Sequence, residues 1–178
     1  GGNDTLIIDS TNGLIAVPFG IRYDGGSGSD ELQLLQTNGP VDLTDTYSVG
    51  PAIGSGVSTI VGSGTAGTQT VFFEDLEPVL DLVPAALLTI LATPTGNAIN
   101  YSGLVTTGFV TIDEHESIEF ANKTAMTIEA GPGADTIGIN SPIKPTGLTT
   151  ITINGADPSS GDATYGPAAR LRGDGEVH

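Results

Sequence analysis

The chain has 178 residues, of which 38% are hydrophobic, 26 are glycine, 11 are proline and none is cysteine. This composition is typical of a globular, turn-rich protein and predicts a single domain over 1–178. Five Lys and Arg against 21 Asp and Glu give a net charge of −16, which argues against binding to nucleic acid and favours divalent cations or basic partners. Without cysteine, disulfides, zinc–thiolate centres and thiol nucleophiles are excluded.

Short apolar, β-branched runs recur between glycine-rich breaks and predict an all-β protein. In chain order, the predicted strands lie at 5–9, 13–19, 31–35, 58–61, 70–73, 87–93, 109–113, 117–120, 125–130, 135–140 and 148–154. The stretch 74–88 contains Pro78 and Pro84, so at most one helical turn is expected there. The apolar run 79–92 is too short to cross a bilayer and contains Asp81, so no membrane insertion is expected.

Two all-β architectures fit these strands. Asn-Gly pairs favour tight hairpins and therefore a β-sandwich; they lie at Asn12, Asn38 and Asn154. Against this, the segments GGNDTLIID, GSGSDELQL and GPGADTIGI share the order Gly-x-Asp-x-apolar-x-apolar. Asp4 and Asp30 in two of them are 26 residues apart, about one coil of a parallel β-helix. We therefore expect a parallel β-helix (β-solenoid) with these two turns stacked, and keep the sandwich as the alternative.

The glycine turns also carry a family resemblance. Residues 25–33 (GGSGSDELQ) match the pattern G-G-x-G-x-D-x-U-x at every specified position, and 130–137 (AGPGADTI) match it except at the first glycine. Together with 117–140 (SIEFANKTAMTIEAGPGADTIGIN), these segments resemble RTX-type calcium-binding repeats and the β-helical repeat modules of very large bacterial secreted or cell-surface proteins. The resemblance implies a structural or adhesive module outside the cell, not an enzyme.

Calcium is the cofactor that such turns suggest. A hard cation needs six to eight oxygens, and a glycine turn can point backbone carbonyls inward while an aspartate supplies charge. Two half-sites follow, one from stacking Asp4 over Asp30 and one from placing Asp135 near a later aspartate 22 or 27 residues on. The alternative is a plain turn whose aspartate caps backbone N–H groups. The candidate metal-site residues are Asp4, Gly28, Asp30, Gly133, Asp135, Asp157 and Asp162.

Catalysis is not expected. The few cationic side chains are scattered along the chain, and no nucleophile, base and orienting group stand in a recognisable constellation; the cations are Arg22, Lys123, Lys144, Arg170 and Arg172. Thr, Ser and Asn in the strands suit flat, solvated outer faces that can pair with other copies. We expect an extracellular or bacterial cell-surface module that is stabilised by calcium and self-associates into filaments or a surface layer. The alternative is a calcium-dependent module that binds glycan or a cell-surface protein on a β-sandwich scaffold.

Overall fold

The structure is a computed structural model that describes residues 1–155 and 164–165, and every regular element in these ranges is a β-strand. The strands are β1 (Thr5–Asp9), β2 (Ile21–Asp24), β3 (Glu31–Leu35), β4 (Asp42–Val49), β5 (Gly56–Val61), β6 (Thr68–Glu74), β7 (Val79–Asp81), β8 (Ala85–Leu91), β9 (Ala98–Gly103), β10 (Gly108–Ile112), β11 (Ile118–Phe120), β12 (Lys123–Glu129), β13 (Thr136–Ile139), β14 (Thr150–Asn154) and β15 (Thr164–Tyr165). The predicted all-β class is confirmed.

The stretch 74–88 has no helical turn, in agreement with the expectation of at most one, because β7 and the start of β8 lie in it. One local prediction is wrong. Residues 13–19 are not a strand but part of the connection from β1 to β2. Their side chains include the exposed Ile15, whose backbone N–H donates to the side-chain oxygen of the buried Gln69 at 2.9 Å. A hydrogen bond to a side chain thus takes the place of a strand ladder there.

The strands form two mixed sheets. The first sheet has the order β1-β3-β7-β11-β10-β9-β13-β15, and the second has the order β14-β12-β8-β4-β5-β6-β2. Among the described strands, nine pairings are parallel and four are antiparallel. We call one passage of the chain through both sheets a coil.

Parallel neighbours come from successive coils. Thr5 lies opposite Glu31 in the first sheet, and Ala125 lies opposite Thr150 in the second sheet. Asp4 and Asp30 therefore lie at the starts of neighbouring parallel strands, and Asp4 donates its backbone N–H to the Asp30 carboxylate. The predicted stacking of these two turns is confirmed.

Two antiparallel meanders interrupt the parallel stacking. In the second sheet β4, β5 and β6 follow one another as hairpins, and in the first sheet β9, β10 and β11 do the same. Each meander inserts two extra strands, so Asn97 and Asp135 on neighbouring coils are 38 residues apart instead of 26. The uneven spacing of the glycine turns along the chain follows from these insertions.

Apolar side chains between the sheets form one core. Alternate strand residues point inward, such as Leu32 and Leu34 on β3 and Leu88 and Ile90 on β8, all completely buried. Each such side chain contributes about 1.5–3 kcal/mol when it leaves water. The largest buried side chains are aromatic; the rings of Tyr47 and Phe73 stack with centroids 5.9 Å apart. This core determines which face of each strand points inward, and it thereby positions the turns that join the strands.

Candidate functional site

The first predicted half-site is a pair of stacked turns. Asp30 is 1% exposed, and its Oδ1 accepts the Asp4 backbone N–H at 2.7 Å. In the next turn along the sheet, Glu77 donates its N–H to the Asp30 carbonyl at 2.6 Å. Gly28 has φ +145°, and a Cβ there would lie 1.8 Å from the Gly2 carbonyl oxygen. The glycine and the aspartate thus serve the stacking of successive coils, as the capping alternative predicts.

The second predicted turn repeats this arrangement. Asp135 is 1% exposed and accepts the Asn97 backbone N–H at 2.8 Å on the preceding coil. Gly133 has φ +136°, and a Cβ there would meet the Gly96 nitrogen at 2.4 Å. The Asn97 side chain in turn donates to Asp113 at 2.7 Å. Asp157 and Asp162 lie outside the described residues.

The geometry for a cation is incomplete in the described part of the chain. No group of three or more His, Asp or Glu side chains there is arranged to hold a metal ion. One feature does favour a ligand at the first turn: Oδ2 of Asp30 is buried and has no hydrogen-bond partner among the described residues. Calcium at Asp4, Gly28 and Asp30 therefore stays a prediction.

Carboxylates line the same edge of the first sheet. Because Leu32 pairs with Val79, and Val79 with Ile118, the residues two positions earlier fall in one row; they are Asp30, Glu77 and Glu116. Burial raises the pKa of Glu116 to about 7, and the charge of Glu77 adds to this effect, although the Ser117 N–H at 3.0 Å opposes it. The backbone carbonyl of Glu116 accepts the Tyr47 hydroxyl at 2.7 Å and ties this edge to the core.

A second cluster of charges lies between the sheets. The Nζ of Lys123 is 2.5 Å from Oδ2 of Asp45 and 3.0 Å from Oδ1 of Asp81, and it donates to the Val83 carbonyl at 2.6 Å. The three charged side chains are 0–1% exposed. Lys123 begins β12, Asp45 lies within β4, and Asp81 ends β7 on the opposite sheet.

Burial raises the pKa of Asp45 well above its usual range, and the charge of Asp81 raises it further, against the effect of Lys123. Burial alone would lower the pKa of Lys123, but the charges of Asp45 and Asp81 outweigh it and raise the pKa. If both carboxyl groups were ionised, Oδ1 of Asp45 and Oδ2 of Asp81 would each be buried without a hydrogen-bond donor. A proton on one carboxyl supplies the missing donor and makes the three-residue cluster neutral.

The sequence analysis missed this cluster, although a signal was present. In β4 the residues Asp45, Tyr47 and Val49 alternate on the inward face. An aspartate in phase with buried apolar residues needs a buried partner. The partner came from position 123, a lysine that sequence analysis treated as one of several scattered cations. Only the folded structure shows that the two side chains meet.

The comparisons with known proteins give no family: no family model, no curated protein and no solved structure matches the chain. Within the described residues there is no helix with the length and apolar character needed to span a membrane.

Proposed function

We propose that the two sheets are the walls of a parallel β-solenoid interrupted by two meanders, and that the chain is a non-catalytic structural or adhesive module of an extracellular or bacterial cell-surface protein. The observation that carries this proposal is the parallel register between successive coils. Asp30 caps Asp4 one coil back, and Asp135 caps Asn97 in the same way. Repeating contacts of this kind suit a stiff spacer whose length grows by about 4.8 Å with each added strand.

The outer face of the second sheet supports an adhesive role. Threonines on six neighbouring strands lie in one register row across this face; they are Thr152, Thr127, Thr89, Thr46, Thr59 and Thr70. Five are half-buried and Thr152 is exposed, while their strand neighbours point into the core. Such a row of methyl and hydroxyl groups is flat and uncharged, which suits lateral contact with a second copy of the chain despite its net charge of −16.

The terminal strands support a second mode of self-association. β1 ends the first sheet and β2 ends the second. Ile7 on β1 is 55% exposed, and among the described strands β1 has a neighbour, β3, on one side only, which leaves its other edge for pairing with a second copy. A docked strand would continue the ladder and extend the body into a filament.

Sedimentation velocity at several protein concentrations tests this proposal. We expect the wild-type chain to assemble in a concentration-dependent way. Thr89→Lys should weaken assembly through the threonine row of the second sheet, and Ile7→Lys should weaken assembly through β1. Both variants should do so if both surfaces are used. Leu104→Lys is the matched control, since Leu104 is 63% exposed in the turn between β9 and β10. A wild-type chain that stays monomeric at all concentrations, or equal weakening by all three variants, would contradict self-association through these surfaces.

Calcium-dependent binding of a glycan or a cell-surface protein is the second candidate function. The observation that favours it is the buried, unpartnered Oδ2 of Asp30, in a turn that contacts the backbone of two exposed acidic residues, Asp4 and Glu77. Calcium titration by calorimetry, with chelator-treated protein as reference, tests it. Heat that disappears in Asp30→Asn supports this candidate, and absence of heat in the wild type contradicts it.

A further inference from the structure

We propose that Lys123 and Asp45 condense into an intramolecular amide crosslink and that Asp81 is the catalytic acid and base of this reaction. The inference rests on the buried cluster alone and is independent of the function proposed above. It assigns to the cluster a self-modification in which the amine and the carboxyl group of two neighbouring side chains are the reactants.

The reacting groups are already in contact. The Lys123 Nζ lies 2.5 Å from Oδ2 of Asp45, and fixed positioning of two reacting groups makes their condensation an intramolecular step. The Lys123 nitrogen is held from two further sides by Asp81 and by the Val83 carbonyl. Three fixed partners leave it little freedom to turn away from Asp45.

The environment favours condensation over hydrolysis. All three charged side chains are 0–1% exposed, so bulk water does not compete as a nucleophile. Formation of the amide also replaces a buried ammonium and a buried carboxyl group by an uncharged group, which removes the desolvation penalty of the ions. The released water molecule leaves the core.

The proton balance closes within the cluster. The reactive state has an Asp45 carboxylic acid, an Asp81 carboxylate and a Lys123 ammonium, which sum to zero charge. The ammonium gives one proton to Asp81, and the free amine attacks the Asp45 carbonyl carbon. Asp81 then passes its proton to the departing hydroxyl and takes the second proton from nitrogen. A C–N bond forms, a C–O bond breaks, and one water is lost.

Asp45, not Asp81, is the electrophile on geometric grounds. Oδ1 of Asp81 accepts the Val83 N–H at 3.0 Å in addition to the lysine, which holds this carboxylate in its anionic role. Oδ1 of Asp45 and Oδ2 of Asp81 are both without a partner, but within the described residues Asp45 accepts a hydrogen bond only from the lysine, at the shorter distance of 2.5 Å. Asp45, the carboxyl group with fewer donors, is therefore the one that carries the proton.

The crosslink would connect two strands of the second sheet that are not direct neighbours. β12 and β4 lie on either side of β8, and the linked residues are 78 positions apart in sequence. The bond would close a long covalent loop around the centre of the body, where it resists separation of three strands.

Mass spectrometry of the denatured, full-length chain tests the proposal. We expect a mass about 18 Da below that of the unmodified 17.9 kDa chain. Cleavage after glutamate separates 32–74, which contains Asp45, from 120–129, which contains Lys123. In the wild type these two peptides should be recovered as one branched species, and trypsin should fail to cut after Lys123.

Three variants of the cluster and one control variant complete the test. Asp45→Ala and Lys123→Arg should restore the full mass and separate the two peptides, and Asp81→Asn should leave most of the chain unlinked. Asp42→Asn, a buried aspartate on the same strand with no hydrogen bond to the lysine, should remain crosslinked. Unlinked peptides in the wild type, or loss of water confined to a single linear peptide, would overturn the proposal. Full linkage in Asp81→Asn would overturn the role given to Asp81.

Discussion

Asp30 accepts the backbone N–H of Asp4 at 2.7 Å across 26 residues of sequence. The Asp30 side chain is 1% exposed, and it satisfies the N–H of a turn one coil back. A hydrogen bond of this kind contributes about 0.5–3 kcal/mol to stability, with the larger values for an ionised acceptor. This single contact therefore links the turn chemistry of the sequence to the stacking of the coils.

Replacing Asp30 should lower stability in a graded way. We expect Asp30→Ala to reduce the free energy of unfolding by about 1–3 kcal/mol, because the Asp4 N–H loses its acceptor. Asp30→Asn keeps an acceptor oxygen and should lose less. Urea denaturation followed by circular dichroism measures both, with the exposed Asp24→Ala as the control. A loss in Asp24→Ala as large as in Asp30→Ala would contradict the capping role.

Calcium should raise the melting temperature if the first turn binds it. The row of Asp30, Glu77 and Glu116 and the net charge of −16 make a cation favourable, and a ligand that binds only the folded state stabilises by about 2.7 kcal/mol at a hundredfold excess over Kd. Melting curves in millimolar calcium and in chelator measure the difference, and magnesium at equal concentration controls for screening. Identical curves in calcium and chelator would contradict binding.

Much of the backbone pattern was readable from sequence. The predicted strands 5–9 and 31–35 coincide with β1 and β3, because alternating apolar residues and flanking glycine turns act locally. β4 was missed because Asp45 occupies an inward position and breaks its apolar pattern. The run 13–19 was mistaken for a strand, since its apolar residues lie instead in an exposed connection.

The meanders were not predictable from turn signals. Asn12 and Asn38 lie in connections from the first sheet to the second, and Asn154 ends β14. The hairpin after β5, in contrast, runs through 62–67 and uses Gly64 and Gly67 at positive φ. The two contacts of the candidate site also differ in whether the sequence predicts them. The Asp4–Asp30 contact follows from a repeat, while the contact of Lys123 with Asp45 spans 78 residues and depends on how both meanders place the strands.

Removing the buried lysine should be strongly destabilising. Lys123→Met leaves Asp45 and Asp81 buried without a cation, which costs about 3–5 kcal/mol, and loss of the proposed crosslink acts in the same direction. Adding Asp45→Leu and Asp81→Leu removes the uncompensated charges and should recover part of that loss. Thermal and chemical unfolding measure the series, and the exposed Lys144→Met is the control. A single Lys123→Met variant as stable as wild type would contradict the importance of the cluster.

The pH dependence of stability should depend on Glu116, which is 6% exposed. Burial first, and the charge of Glu77 next, raise its pKa to about 7 from 4.5. Between these pH values the folded state holds a proton that the unfolded chain has released, so rising pH lowers the stability of the fold. One such proton gives a slope of at most about 1.4 kcal/mol per pH unit. The contribution is constant below pH 4.5 and fully lost above pH 7.

Glu116→Gln replaces the titrating carboxyl by a neutral side chain of the same shape, so its stability relative to wild type should increase from pH 4.5 to pH 7.5. Denaturation midpoints measured at half-unit intervals give the two curves. Glu114→Gln removes the same charge from an exposed neighbour and should leave the slope unchanged. His115→Asn, at the position directly before Glu116, is measured in the same series. Parallel curves for wild type and Glu116→Gln would show that Glu116 is already ionised in the folded state across this range, because a carboxyl that holds no extra proton on folding contributes no slope.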